Sequence, residues 1–145
     1  MNRREAVQNI SLLLGGTLVG MNAFLTGCKT KTGGKETFSQ SDIAYLDEIA
    51  DTILPTTSTP GAKAAKVGQF MTVMVNDCYE AKDQKAFRDG MDKINELSEK
   101  EFNNPFMKSS PEQRHQLLVK LDAEAKEYQK NKKPEDTEHY FRLMK

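Results

Sequence analysis

The sequence has no excess of charge of either sign and very little cysteine. Its 145 residues include 21 basic and 21 acidic side chains. This balance argues against a nucleic-acid-binding protein, which would carry a basic footprint. Of the two cysteines, Cys28 belongs to the candidate processing site described below, so Cys78 has no intramolecular disulfide partner. We expect Cys78 to be buried and inert, as most lone cysteines are, the alternative being a bridge to another chain.

Recognisable catalytic motifs are also absent. The sequence contains no GxGxxG, no phosphate-binding loop, no GxSxG and no CxxCH haem attachment. His115 and His139 lie in separate segments without zinc-ligand spacing, and we expect each to be at the surface or half-buried. The abundant carboxylates are interpreted as outward helix faces, among them Asp47, Glu48, Asp51, Glu99 and Glu101. A binding or subunit role is therefore favoured over an enzyme, with no catalytic residue, cofactor or metal site in this chain.

The N-terminus has the layout of a bacterial lipoprotein signal. Arg3 and Arg4 precede an uncharged apolar stretch that closes on Leu25-Thr26-Gly27-Cys28. We expect residues 1–27 to be removed and the thiol of Cys28 to carry lipid. The mature chain would then be periplasmic or on the envelope surface, anchored in a membrane by acyl chains. The alternative is that residues 6–28 form a membrane-spanning helix, which their length alone does not exclude.

The export route stays open. Arg3 and Arg4 form the pair used by the twin-arginine route for folded proteins, but Ala6 and Gln8 stand where a large apolar residue and a lysine are usual. The general route and the twin-arginine route are both compatible with this pattern. Residues 28–37 are polar and contain two adjacent glycines, which predicts a flexible tether between the lipid and the domain.

The remaining chain, residues 38–145, shows no strand signal. It has neither sustained period-two alternation nor an Asn-Gly or Asp-Gly hairpin. The pattern predicts an all-α fold, a small bundle of about four to five helices. The first helix begins at Ser39, which can form a capping box with Asp42, and it ends at Pro55.

Further apolar segments follow at helical spacing. From Val67 a broad face predicts burial on more than one side; it comprises Val67, Phe70, Met71, Val73, Met74, Val75, Cys78 and Tyr79. A segment from about Asp83 to Phe102 is predicted to bury Phe87, Met91, Ile94, Leu97 and Phe102. The next starts at a Ser110–Gln113 capping box and is predicted to bury Leu117, Leu118, Leu121, Ala125 and Tyr128. A last apolar run from His139 stops at Lys145 without a cap, which favours a C-terminally truncated domain.

The stretch from Leu46 to Ala62 resembles the signature of the gluconate 2-dehydrogenase subunit 3 family. The family pattern is an apolar helix ending in Ala-Asp-x-Ile-[Ile/Leu]-Pro, a Thr-rich loop, Pro-Gly-Ala and a Val-centred helix. The matching residues are Ala50-Asp51, Ile53-Leu54-Pro55, Thr59-Pro60-Gly61-Ala62 and Val67. Ser58 differs, because the family often has aspartate there.

The resemblance implies a non-catalytic small subunit of a membrane-associated flavin dehydrogenase acting on sugars or sugar acids. It would bind an FAD-containing catalytic subunit of the glucose-methanol-choline type, help it through export, and tether it near a cytochrome that takes its electrons. The flavin would belong to the partner. The alternative is a stand-alone envelope lipoprotein that acts as a helical adaptor or scaffold.

The loop between the first two helices is the candidate partner-binding site. Its prolines fix the backbone and are explained by the turn, whereas the threonines present hydroxyls and methyls on a segment with little conformational freedom. The residues predicted to contact the partner are Pro55, Thr56, Thr57, Thr59, Pro60 and Gly61. The alternative is that this loop only connects two helices.

Overall fold

The computed structural model describes residues 37–145. These residues form five α-helices and one short 3₁₀ turn, without a strand, which confirms the predicted all-α bundle. The α-helices are α1 (Gln40–Ile53), α2 (Val67–Cys78), α3 (Ala81–Phe102), α4 (Pro111–Asn131) and α5 (Tyr140–Met144), and the 3₁₀ turn is Phe106–Lys108. The predicted signal of residues 1–27, with Arg3 and Arg4, and the predicted lipidation site Cys28 lie outside the described residues.

Helix α1 begins at the predicted capping box. The Ser39 amide donates to Asp42 Oδ2 at 2.7 Å, and the Asp42 amide donates to Ser39 Oγ at 3.2 Å. Two amides that have no partner within the helix are thereby satisfied. The helix buries Leu46 and Ile49 completely against the rest of the bundle. The helix ends at Ile53. Pro55 disfavours helical geometry in Leu54, the residue that precedes it.

Helix α2 packs closely on α1 through a glycine. A Cβ built on Gly68 would lie 2.6 Å from both the Ile43 carbonyl oxygen and the Asp47 amide nitrogen of α1. The buried face of α2 therefore runs through Gly68, Thr72 and Val75.

The predicted core face of α2 is wrong in part. Phe70 is 61% exposed and Val73 is 51% exposed, and the lone thiol of Cys78 is exposed instead of buried. The physical reason is the close approach at Gly68, which turns the small residues toward α1 and the larger apolar residues outward. An exposed apolar face on α2 results.

Helix α3 buries the predicted stripe. Phe87 and Ile94 are fully buried, and Met91, Leu97 and Phe102 pack against the same core. The helix ends at Asn103, which has a left-handed φ of 55°, and its amide donates to the Glu99 carbonyl at 2.9 Å. This is a common way to stop a helix and turn the chain. After the turn, the Phe106 ring is fully buried next to Tyr45 of α1.

Helix α4 starts at the second predicted capping box. The Ser110 amide donates to Gln113 Oε1 at 2.9 Å, and the Gln113 amide donates to Ser110 Oγ at 3.3 Å. The predicted apolar face is buried at Leu117, Leu118, Leu121 and Ala125, whereas Tyr128 at its end is 39% exposed.

The last apolar run forms α5, which lies against α3 and α4. Its side chains Tyr140, Phe141 and Met144 are buried. His139, which precedes it, is only 7% exposed, so the expectation of a surface or half-buried histidine is wrong here and correct for the exposed His115. No helix within residues 37–145 has the length and the apolar run that crossing a bilayer requires.

Candidate functional site

The loop between α1 and α2 is exposed and internally hydrogen-bonded. All residues from Leu54 to Pro60 are exposed, whereas Gly61 and Ala62 are buried. The Ala62 amide donates to the Leu54 carbonyl at 3.0 Å, which closes the loop at its base. Within the loop, the Thr57 amide donates to the Thr59 carbonyl at 3.0 Å. The loop is therefore an ordered projection with a fixed base.

Thr56 and Gly61 fix the fold of the loop. The Gly61 amide donates to Thr56 Oγ1 at 3.1 Å across the loop. A Cβ at Gly61 would lie 2.5 Å from the Thr56 amide nitrogen and 2.8 Å from Asp51 Oδ1, so no larger residue fits without rearrangement. The Pro-Gly step of the sequence motif is thus explained by the close approach of two backbone segments.

Two acidic residues of α1 bind groups of the segments around the loop. Asp47 Oδ1 accepts a hydrogen bond of 2.8 Å from the Gly68 amide at the start of α2. Glu48 forms an ion pair of 2.8 Å with Lys63, just beyond the loop, and a second ion pair with Arg114 of α4. The interpretation of Asp47 and Glu48 as merely outward faces is therefore wrong, because both bind groups from other segments.

Electrostatics favour the charged form of Glu48. The hydrogen bond from Lys63 is the largest cause that lowers the pKa of Glu48, and Arg114 acts in the same direction against the effect of burial. The same pairing raises the pKa of Lys63. Arg114 is only 13% exposed, and it also donates from Nε to the Ser109 carbonyl at 3.1 Å. Glu48 thus stays ionised and connects three segments around the loop.

A cleft of about 440 Å³ lies beside the loop, between the end of α1 and the start of α4. Its walls carry two prolines, three carboxylates, one arginine and one histidine: Pro55, Pro111, Glu48, Asp51, Glu112, Arg114 and His115. The Oδ1 atom of Asp51 is buried without a hydrogen-bond donor. The cleft gives the loop a recess on one side whose walls include charged side chains.

The structure brings all six predicted contact residues together on this loop. Pro55, Thr56, Thr57, Thr59 and Pro60 are exposed, and Gly61 is buried as the point where the loop folds back. Sequence reasoning missed the part played by Asp47, Glu48 and Arg114. The position of Asp47, Glu48 and Asp51 just before the loop is a local signal that could have been used. The contact with Arg114, 66 positions away, left no local signal.

The part of the chain that the structure describes contains no group of three or more histidine, cysteine or carboxylate side chains placed to hold a metal ion. Beside the loop, Glu48 is paired with Lys63 and with Arg114, which come from two other segments. These pairs stabilise the position of the loop. The site is therefore an exposed loop whose position is stabilised by contacts between the neighbouring segments.

The fold and this loop define a small all-α domain with one ordered, exposed loop. The chain belongs to the gluconate 2-dehydrogenase subunit 3 family, whose model matches residues 40–145. This match confirms the family inferred from the sequence. The name of the family describes its members as subunits of a dehydrogenase. No curated protein and no solved structure matches the chain significantly.

Proposed function

We propose that this chain is a non-catalytic small subunit that binds a periplasmic FAD-dependent dehydrogenase of the gluconate 2-dehydrogenase type. It assists the export of that catalytic subunit and holds it at the membrane. The partner is a flavoprotein of the glucose-methanol-choline type that carries the FAD and passes electrons to a cytochrome. Family membership supports this role, and so does an exposed loop that is held by its own hydrogen bonds.

The observation that carries the proposal is the preformed loop of Leu54 to Gly61. Its conformation is fixed before any partner binds, by the Thr56–Gly61 hydrogen bond and by the contacts of Glu48 at its base. A surface that is already ordered loses little conformational entropy on association. The loop also presents Leu54, which is 63% exposed, next to Pro55. An apolar side chain on a rigid projection is suited to fill a pocket of a partner.

The exposed apolar face of α2 provides a second contact for the same partner. Phe70 and Val73 lie one helical turn apart and are both more than half exposed. A turn of residues 62–66 joins the loop to this helix, and the Val67 amide donates to the Ala62 carbonyl at 3.2 Å across it. Two neighbouring apolar side chains on one helix face form a small apolar surface, and a partner that covers it removes this area from water.

Export and anchoring rest on the N-terminal sequence. Arg3 and Arg4 form the candidate export signal, and Cys28 is the candidate lipidation site. A lipid on Cys28 would keep the complex at the membrane, with residues 28–37 as the tether. A partner without a signal of its own would cross the membrane together with this chain.

Co-purification from the membranes of the native host tests the proposal. The full-length chain should retain a stoichiometric yellow flavoprotein, and Leu54→Ser together with Phe70→Ser should reduce that yield. Val119→Ser is the matched control, because Val119 is also an exposed aliphatic side chain, 54% exposed on α4. Recovery of a colourless protein without a flavoprotein would contradict the subunit role and favour the stand-alone scaffold.

A further inference from the structure

The last helix of the bundle is capped by a titratable side chain. His139 Nδ1 accepts a hydrogen bond of 3.3 Å from the Phe141 amide, in the first turn of α5. A ring nitrogen accepts only when it carries no proton, so the imidazole is neutral and its proton sits on Nε2. The ring is 7% exposed and stacks on Tyr140 with centroids 4.4 Å apart.

The groups around the imidazole do not compensate a positive charge well. Glu124 of α4 lies 3.7 Å from His139 Nε2, but its side chain is 54% exposed, so water screens the attraction. Lys93 of α3 lies 5.4 Å from the centre of the neighbouring Tyr140 ring and repels a protonated histidine. Burial is the largest cause that lowers the pKa of His139, and it outweighs Glu124.

The other polar neighbours keep their state over the same pH range or have partners of their own. Burial raises the pKa of Tyr140 to about 12, so this side chain stays neutral. The Tyr128 ring, 5.5 Å from the imidazole, donates its hydroxyl to the Thr137 carbonyl at 2.9 Å. Glu138 pairs with Lys132 at 3.0 Å and with Arg142 at 3.6 Å. The cap of α5 thus depends on an imidazole, whose ordinary pKa lies in the mildly acidic range.

We propose that α5 is a pH-responsive latch, whose attachment to α3 and α4 is weakened by protonation of His139. Protonated Nδ1 would present an N–H to the Phe141 amide, so two donors would face each other and the cap would be lost. The imidazolium would also leave its buried position for water. Both changes act on the same five-residue helix, Tyr140–Met144.

Release of α5 exposes apolar surface. Tyr140, Phe141 and Met144 are each at least nine-tenths buried in the latched form. The remaining polar contacts that hold the helix are few: Tyr79 donates to the Leu143 carbonyl at 3.2 Å, and Lys145 pairs with Asp122 at 2.6 Å. A five-residue helix with few polar contacts to the rest of the domain can open locally without unfolding of the whole bundle.

The direction of the pH effect follows from the neutral state of the latched histidine. In the released segment, His139 takes up a proton near the ordinary histidine pKa of about 6.5. In the latched form, His139 takes up a proton only at lower pH. The stability of the latch is therefore complete above that value and falls as the pH drops below it. Each pH unit in this window favours the released form by up to about tenfold.

Hydrogen exchange of the purified full-length protein tests the latch, read as protection factors at about pH 7.5 and about pH 5.5. The protection of the Phe141 amide should fall by about tenfold at the lower pH, while that of Ile94 in α3 stays unchanged. His139→Asn should abolish this difference, because asparagine offers a capping oxygen that does not titrate. His115→Asn is the matched control, since the chain has two histidines and His115 is exposed.

Two outcomes would overturn the proposal. One is equal protection of Phe141 at both pH values in the wild-type protein. The other is a pH-dependent loss that persists in His139→Asn. If this variant does not fold, NMR of the wild-type protein decides: the loss of Phe141 protection must share its midpoint with the titration of the His139 ring, and separate midpoints refute the latch.

Discussion

Glu48 and Arg114 lie 66 positions apart in the sequence, and their side chains form an ion pair beside the loop. The second carboxylate oxygen of Glu48 binds Lys63 at 2.8 Å. One carboxylate therefore joins α1, the segment that follows the loop, and the start of α4. The loop between α1 and α2 owes its fixed position to a contact with a helix much later in the chain.

Replacing Glu48 should destabilise the domain more than replacing an exposed acidic residue. Glu48→Gln leaves Arg114, which is 13% exposed, without its carboxylate, and we expect a loss of about 1–3 kcal/mol in the free energy of unfolding. Glu101→Gln is the control, because its partner Lys120 is 54% exposed, and the expected loss is below about 1 kcal/mol. Urea unfolding measures both variants. Equal losses of unfolding free energy in the two variants would show that the Glu48–Arg114 ion pair contributes no more than an exposed surface pair.

The same residue should contribute to acid sensitivity. The pKa of Glu48 is lowered in the folded protein, first by Lys63 and then by Arg114. Its stabilising contribution is therefore complete above the ordinary carboxyl value and is lost as the pH falls through the lower folded-state value. Unfolding free energies measured from neutral pH down to acid should fall less steeply for Glu48→Gln than for the wild-type protein. Parallel curves would contradict this.

The elements that sequence predicted correctly depend on local interactions. Ser39 with Asp42, and Ser110 with Gln113, each lie three residues apart, so a capping box can be read directly from the chain and is present in both cases. The apolar stripe of α3 is likewise a local pattern at helical spacing, and Phe87 and Ile94 are buried as it predicts.

Where prediction was wrong, a distant segment decides the outcome. The large residues Phe70 and Val73 were expected in the core, but Gly68 allows α1 to approach so closely that the small side of α2 is buried. His139 was expected nearer the surface, but α4 and α5 enclose it. The turn residues of the loop could be located from the sequence motif. The ion pair of Arg114 with Glu48, which stabilises the loop, could not be predicted from the sequence.

Gly68 should not tolerate a side chain, although alanine is normally the better helix former. Gly68→Ala would place a Cβ 2.6 Å from backbone atoms of α1, which cannot move aside as a flexible side chain could. We expect a loss of about 1–3 kcal/mol in the free energy of unfolding. Gln69→Ala, at the neighbouring exposed position, should be neutral or slightly stabilising. A stabilising effect of Gly68→Ala would mean that α1 and α2 are less closely packed.

Lipid attachment should depend on one of the two cysteines. Cys28→Ala should abolish the incorporation of labelled fatty acid and release the protein from membrane fractions, because Cys28 closes the candidate signal. Cys78→Ala is the matched control and should remain lipidated, since this exposed thiol ends α2 within the domain. Incorporation of label into Cys28→Ala would contradict the lipoprotein interpretation.

The threonines of the loop should divide into one that stabilises the fold and two that contact the partner. Thr56 Oγ1 accepts the hydrogen bond of the Gly61 amide, so Thr56→Ala should reduce the free energy of unfolding by about 1 kcal/mol. Thr57 and Thr59 are exposed, and their mutual hydrogen bond uses backbone atoms, which alanine retains. The double variant Thr57→Ala/Thr59→Ala should therefore melt at the wild-type temperature.

Binding of the flavoprotein distinguishes an interface from a connector. If the loop contacts the partner, Thr57→Ala/Thr59→Ala should weaken capture of the catalytic subunit by about tenfold, which corresponds to about 1.4 kcal/mol, without a change in melting temperature. Replacing Thr56 as well would combine a loss of stability with a loss of binding. Without the Thr56–Gly61 hydrogen bond the domain is less stable, whether or not the loop contacts the partner. Wild-type affinity of the double variant would show that Thr57 and Thr59 do not contact the partner. In that case the contact would have to come from other exposed residues, among them Leu54 of the loop and Phe70 and Val73 of α2.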